Sequence, residues 1–129
     1  MRTVLFVCVG NASRSQMAEA FFNHLAKGKT RAISAGTEPA SAVDPKTIEV
    51  MREVGIDISA AKPKALTMEM VDQADRVVTM GCGVDGICPA GFVDTEDWQL
   101  DDAKGKPIDD VRRIRDEIKG RVETLARKY

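Results

Sequence analysis

The sequence predicts an α/β domain in which about four parallel strands lie between helices on both faces. Strand-like apolar segments alternate along the chain with helix-like segments, and this alternation is typical of a parallel sheet with right-handed crossovers. The 129 residues, 43% of them hydrophobic, suit one compact domain that spans residues 1–129. In so short a chain we expect the strand order of flavodoxin-like folds.

The first half of the chain predicts a strand, a helix, a second strand and a second helix. Residues 3–8 are apolar and largely β-branched, which is typical of a strand buried on both faces. Residues 15–27 place apolar side chains on one stripe, as an amphipathic helix does. Residues 31–35 predict a short strand that a glycine ends, and Asp44 with the proline after it predicts the start of the next helix.

The second half predicts two further helices and two further strands. Thr67 is the expected N-cap of a short helix, and residues 76–80 form an apolar strand-like run. Phe92 and Val93 predict a short fourth strand. A long last helix is expected from Pro107 onward, because apolar residues then recur every three or four positions. Its charged side chains are expected to form a solvated face.

Composition and charge exclude several classes of protein. Nineteen Lys and Arg against 20 Asp and Glu give a net charge of −1, which argues against a nucleic-acid partner. The longest apolar run, residues 4–9, is far shorter than the roughly 20 residues of a membrane span. We therefore expect a cytoplasmic protein with no membrane partner. Three cysteines and one histidine give neither an even disulfide framework nor a His-rich metal site, so we expect cysteine chemistry without a metal.

The segment between the first strand and the first helix predicts an oxyanion site. Gly10 and Asn11 tolerate positive φ, so the backbone can curl until successive amides point inward. Arg14 at the start of the helix offers a planar fork to two oxygens of a tetrahedral anion, and the helix dipole adds positive potential. The same field favours the thiolate of Cys8, to which the Ser15 hydroxyl can donate. The expected anion-binding residues are Val9, Gly10, Asn11, Ala12, Ser13, Arg14 and Ser15.

These residues also carry a family resemblance. Cys8 and Arg14 with five residues between them, followed by Ser15, resemble the signature of the low-molecular-weight protein tyrosine phosphatase superfamily. Segments such as 34–36 and 98–102 extend the resemblance over nearly the whole chain, and they favour its arsenate reductase branch. The resemblance implies a low-molecular-weight phosphatase-like fold and the reduction of arsenate to arsenite in arsenic detoxification.

Two later cysteines, Cys82 and Cys88, lie among three glycines in residues 81–89. Two unrelated thiols or half a metal site are alternatives, but redox partners are favoured. In a helix the two would be about 9 Å apart along the axis, which exceeds the roughly 4.4–6.8 Å that disulfide Cα atoms allow, so the segment must rearrange to oxidise. The resemblance implies that Cys82 attacks first, that Cys88 finally pairs with it, and that thioredoxin reduces the pair with no tightly bound cofactor.

The resemblance assigns two further features. It places Asp102 at the position of the general acid, although Ala103 stands where the family usually has proline. Many thioredoxin-coupled members also bind potassium near the positions of Asn11, Glu19 and Ser34, with a further acid. If Lys64 occupies the position of that acid, its ammonium replaces the charge of the ion, and we predict potassium independence.

Three alternatives to a thioredoxin-coupled reductase stay open at this point. A related subfamily uses a low-molecular-weight thiol such as mycothiol, and its members are similar around Cys82. A phosphotyrosine phosphatase would use the same loop, but a phenyl ring needs aromatic walls and the one tyrosine is Tyr129. A thiol-based sensor would be oxidised once without turnover. The electron donor that supports turnover distinguishes a thioredoxin-coupled reductase from a mycothiol-dependent one and from a phosphatase, which needs no electron donor. A sensor is distinguished from all of these by the absence of turnover.

Overall fold

The computed structural model describes residues 2–26, 30–80, 95–98, 100 and 105–128. Eight helices and strands lie in these ranges, with helices between the first three strands and after the last one. In chain order they are β1 (Arg2–Cys8), α1 (Arg14–Ala26), β2 (Thr30–Gly36), α2 (Pro45–Glu53), α3 (Met68–Gln73), β3 (Arg76–Thr79), β4 (Thr95–Asp97) and α4 (Ile108–Ala126). None of the helices in these ranges is long and apolar enough to cross a membrane.

The four strands form one parallel sheet in the order β2-β1-β3-β4. This confirms the expected parallel sheet and its flavodoxin-like order. The fourth strand is β4, whereas the sequence prediction placed it at Phe92 and Val93, which lie outside the described residues. The apolar-run criterion missed β4 because its sequence is Thr-Glu-Asp, and a short strand that pairs on one side within the described chain needs no apolar run.

The two faces of β1 pack against different helices. Successive side chains of a strand point to opposite faces. Phe6 lies in the larger core cluster, with residues of α1, α2 and α4. The centroid of its ring is 6.1 Å from the ring centroid of Phe22 and 5.7 Å from that of Trp98. Leu5 and Val7 lie in the smaller cluster with Val71 of α3. The predicted helices on both faces are therefore confirmed.

Two helix starts follow the predicted capping chemistry. The Asp44 carboxylate accepts a hydrogen bond of 3.0 Å from the Lys46 amide, and a proline occupies the first turn of α2. Thr67 Oγ1 accepts a bond of 3.2 Å from the Met70 amide at the start of α3. Gly55, just after α2, has φ +84°, a left-handed conformation that glycine adopts without steric cost. Local sequence therefore sets these boundaries.

The charged face of α4 corrects one expectation, because part of it is buried against α2. Arg115 is only 9% exposed, and its Nη1 donates to the Val50 carbonyl at 2.9 Å and to Glu53 Oε1 at 2.8 Å. Arg112 Nη2 also contacts Glu53, at 2.8 Å. Hydrogen bonds from Arg112, together with those from Arg115, hold the pKa of Glu53 below its ordinary value. These charges join two helices instead of facing solvent alone.

Candidate active site

The segment between Cys8 and Arg14 forms a loop at the carboxyl edge of the sheet, and its carbonyls point away from the loop centre. Four of its carbonyl oxygens accept hydrogen bonds of 2.8 to 3.1 Å from backbone amides in segment 37–44. They belong to Cys8, Val9, Gly10 and Ala12. In a trans peptide the N–H points opposite to the C=O, so the amides that follow these carbonyls face the hollow of the loop. This is the arrangement that the anion-nest prediction requires.

Cys8 lies at the base of this loop. The residue is 2% exposed, and within the described chain two groups contact its sulfur. The Asn11 amide donates to Cys8 Sγ at 3.2 Å, and Ser15 Oγ lies 2.9 Å from the same sulfur. Both contacts come from groups that can donate to a thiolate, so the surroundings of Cys8 suit a nucleophilic sulfur.

The Asn11 side chain fixes which way the hydroxyl of Ser15 points. Asn11 Oδ1 accepts a 2.8 Å bond from the Lys64 backbone amide, which can only donate, so the amide orientation is determined. Asn11 Nδ2 then donates to Ser15 Oγ at 2.7 Å and to Ser34 Oγ at 3.0 Å. Because Ser15 Oγ accepts from Asn11, its own hydrogen is left for Cys8 Sγ.

Backbone conformation and close packing define the shape of the loop. Asn11 is fully buried and has φ +50°, as predicted, whereas Gly10 does not adopt the positive φ that was also expected of it. A Cβ on Gly36 would lie 2.6 Å from the Val9 carbonyl oxygen. The sequence marked Gly36 only as the end of a strand, yet the loop and β2 approach too closely there for any side chain.

Arg14 begins α1 and is buried beside the loop. It is 4% exposed, and its Nη1 donates to the Leu100 carbonyl at 3.3 Å. A cleft of about 420 Å³ opens above the loop. Beyond the loop residues it is lined by Glu38, Ala40, Ala42 and Asp44. The described wall of this cleft therefore carries small and acidic side chains and no aromatic ring.

The structure brings together the first group of predicted site residues, and the second group lies outside its described part. Cys8, Arg14, Ser15 and the loop between them form one site. Cys82, Cys88 and Asp102, together with Ala103, lie outside the described residues. Two described residues close to these segments in sequence contact the site or the residue next to it. Met80 N donates to the carbonyl of Val7, which precedes Cys8, at 2.7 Å, and the Leu100 carbonyl accepts from Arg14.

One polar residue of the site was missed by sequence reasoning. Gln16 is 1% exposed, and its Nε2 donates to Asn11 Oδ1 at 3.0 Å and to the Lys62 carbonyl at 3.1 Å. No local pattern marks it, because it occupies a position in α1 where a surface glutamine would look the same. Across the described ranges, no group of three or more His, Cys, Asp or Glu side chains that could hold a metal ion occurs.

Comparison with known proteins assigns the family. The family model described as "Low molecular weight phosphotyrosine protein phosphatase" matches residues 3–129. The chain belongs to this phosphatase family. An arsenate reductase 2 from Staphylococcus haemolyticus (strain JCSC1435) is 41% identical over 126 residues, which cover 96% of this chain and 95% of that protein. The resemblance inferred from Cys8, Arg14 and Ser15 is thereby confirmed.

Solved structures of phosphatase-family proteins have the same fold. An arsenate reductase in the phosphate binding state aligns with a TM-score of 0.88 and 40% identity over 99% of this chain and 98% of that one. A thioredoxin-dependent arsenate reductase from Corynebacterium glutamicum gives a TM-score of 0.85 at 38% identity, over 99% of this chain and 61% of that one. An arginine phosphatase from Geobacillus stearothermophilus aligns with a TM-score of 0.88 and 29% identity, over 99% of this chain and 92% of that one. The fold is therefore common to reductases and phosphatases.

Proposed function

We propose that this phosphatase-family chain reduces arsenate to arsenite, with Cys8 as the nucleophile, as part of arsenic detoxification. The observation that carries the proposal is the Cys8 sulfur at the base of a loop of inward amides, 2.9 Å from Ser15 Oγ and 3.2 Å from the Asn11 amide. Relatives at about 40% identity over nearly the full chain are named arsenate reductases, which favours arsenate over other tetrahedral oxyanions as the substrate that reacts.

The first step joins sulfur to arsenic. The Cys8 thiolate attacks arsenic while Arg14 and the loop amides hold the arsenate oxygens, which concentrates positive potential where charge develops. Asp102 protonates the departing hydroxide, so that water leaves and an S–As bond remains. The contact of Arg14 with the Leu100 carbonyl supports this role for Asp102, which follows Leu100 by two residues.

The second step transfers two electrons to arsenic. The Cys82 thiolate attacks Cys8 Sγ, the S–As bond breaks, and its electron pair stays with arsenic, which leaves as arsenite. A disulfide now joins Cys8 and Cys82. Cys88 then attacks Cys82 and releases the Cys8 thiolate. The bond between Met80 N and the Val7 carbonyl supports this order, because Val7 precedes Cys8 directly and Met80 precedes Cys82 by two residues.

The proposed reductant of the final Cys82–Cys88 disulfide is thioredoxin. The name of the thioredoxin-dependent reductase from C. glutamicum supports it. A low-molecular-weight thiol of the mycothiol type is the alternative reductant. With that reductant, Cys88 is not required for turnover. We further propose that residues 1–129 act as one domain in the cytoplasm, where thiols stay reduced, and that no cofactor is tightly bound.

Hydrolysis of a phosphorylated side chain, at a P–O or a P–N bond, is the second candidate function, because an arginine phosphatase shares the fold. The loop suits phosphate as well as arsenate. A phosphotyrosine ring, however, gains most of its binding from aromatic walls, and the described lining of the cleft offers Ala40, Ala42 and the acids Glu38 and Asp44 instead.

The test couples arsenate reduction to NADPH consumption through thioredoxin and thioredoxin reductase. The proposal expects steady NADPH consumption that needs arsenate and that disappears in Cys8→Ser, whose hydroxyl has no accessible anion at neutral pH. A parallel assay replaces thioredoxin with a mycothiol-regenerating system, and another offers phosphotyrosine and phosphoarginine without arsenate. Turnover of either phosphorylated compound together with no arsenate-dependent NADPH consumption would reassign the chain to the phosphatases.

A further inference from the structure

The hydrogen-bond network behind Cys8 ends at a charged pair. Ser34 Oγ, which accepts from Asn11 Nδ2, donates to Glu19 Oε1 at 3.1 Å. The ammonium of Lys64 lies 3.6 Å from the same Glu19 oxygen, and the two side chains are 40% and 23% exposed for Lys64 and Glu19. The pair is therefore partly shielded from solvent and lies two hydrogen bonds away from Asn11.

The residues at this place do not fit a metal cation, although the family resemblance implies potassium near Asn11, Glu19 and Ser34. Asn11 Oδ1 already accepts from the Lys64 amide at 2.8 Å and from Gln16 Nε2 at 3.0 Å, so both of its lone pairs are used. The Lys64 ammonium already stands beside the Glu19 carboxylate. A potassium ion in the same pocket would be repelled by it.

We infer that the ammonium of Lys64 is the resident cation of this network and that the chain uses no metal ion there. Lys64 acts as a positioning residue in two ways. Its backbone amide fixes the Asn11 side chain, and its ammonium holds the Glu19 carboxylate in place through the 3.6 Å ion pair. Held there, Glu19 accepts from Ser34, which leaves a Ser34 lone pair for Asn11. Asn11 in turn directs the Ser15 hydroxyl toward Cys8.

The inference rests on the proposed function only in treating Cys8 as the reactive thiol, and its test uses no arsenate. The parent protein carries Cys82→Ser and Cys88→Ser, so that one of the three cysteines remains. The readouts are the rate of Cys8 alkylation by iodoacetamide at neutral pH and the affinity for inorganic phosphate measured by calorimetry. Failure of arsenate reduction would leave both readouts intact.

Substitutions at position 64 separate the charge of the side chain from its length. Lys64→Met keeps the stem and loses the ammonium, Lys64→Arg keeps the charge, and Lys62→Met removes a nearby exposed lysine as the matched control. We expect Lys64→Met to slow alkylation by up to about fivefold, as suits a half-exposed ion pair, and to weaken phosphate binding. Lys64→Arg and Lys62→Met should stay close to the parent.

Two further arms complete the test. Replacing tetramethylammonium chloride by potassium chloride at equal ionic strength should change neither readout in the parent. In a Glu19→Gln background, Lys64→Met should have no further effect, because the ammonium then has no carboxylate to compensate. Potassium-dependent acceleration in the parent, equal rates for Lys64→Met and Lys62→Met, or a full effect of Lys64→Met in the Glu19→Gln background would each overturn the inference.

Discussion

Replacing Asn11 by aspartate reverses the polarity of the network that aims Ser15 at Cys8. The two side chains have the same shape, so one aspartate oxygen can still accept from Lys64 N and Gln16 Nε2, as Asn11 Oδ1 does. The other oxygen replaces Nδ2 and can no longer donate. Because Ser15 Oγ lies 2.7 Å from that atom, its hydroxyl must donate to the aspartate and turns away from the sulfur.

The expected magnitude follows from the bond that is lost. A hydrogen bond to a charged group contributes about 1.5–3 kcal/mol, and about 1.4 kcal/mol corresponds to a factor of ten. Alkylation of Cys8 in Asn11→Asp should therefore slow by about 10- to 100-fold at neutral pH, and the added negative charge acts in the same direction. The assay follows iodoacetamide labelling in the background that lacks Cys82 and Cys88.

A matched substitution on α1, the helix that follows the loop, controls for general destabilisation. Asn23 of α1 donates to the Ala32 carbonyl at 3.1 Å and accepts from the Ala32 amide at 2.8 Å, so Asn23→Asp also loses one side-chain donor that is partly shielded from solvent. It should lower the melting temperature and leave the labelling rate unchanged. If folded Asn11→Asp reacts as fast as the parent protein, the deduced direction of the Ser15 hydrogen bond is wrong.

Three further outcomes are expected. Gly36→Ala should lower the free energy of unfolding by about 1–3 kcal/mol, as overpacking does, and weaken phosphate binding, because its Cβ meets a loop carbonyl at 2.6 Å; urea titration and calorimetry measure both, and wild-type stability would contradict the close approach. Cys88→Ser should complete one turnover and accumulate a disulfide between Cys8 and Cys82, which peptide mapping by mass spectrometry detects; steady turnover with thioredoxin alone would exclude the three-thiol relay. Two arginines of α4 lower the pKa of Glu53, so this contact stabilises the fold above the ordinary value of 4.5 and the stabilisation is lost as the pH falls through the folded pKa. Urea midpoints of Glu53→Gln should accordingly fall less between neutral and acid pH than those of wild type, and parallel curves would refute this.

The parts of the structure that could be predicted are those that local sequence determines. An apolar run followed by Gly10 and Asn11 was enough to predict β1 and an anion-binding loop, and Asp44 and Thr67 mark helix starts by bonds to amides two or three residues away. The family signature then followed from the spacing of Cys8 and Arg14.

What could not be predicted depends on partners that are distant in sequence. The burial of Arg115 depends on Glu53, 62 positions away, and the requirement for Gly36 depends on a loop carbonyl near the start of the chain. Gln16 carries no local signal of its role. β4 was not predicted, because its polar sequence gives no hydrophobic pattern. The roles of Cys82, Cys88 and Asp102 remain predictions from the resemblance.

The outward carbonyls of the anion loop have a consequence for selectivity. Because segment 37–44 and the Ser13–Thr47 hydrogen bond of 2.7 Å hold the loop from outside, its shape is set before any anion arrives. A rigid cradle of amides and one guanidinium recognises four oxygens and two negative charges, and arsenate and phosphate share both properties. Phosphate should therefore compete with arsenate for the loop and bind it with similar affinity. Discrimination between the two depends on the chemistry after binding, because As(V) can keep the electron pair of its bond to sulfur and leave as arsenite, whereas thiols do not reduce P(V).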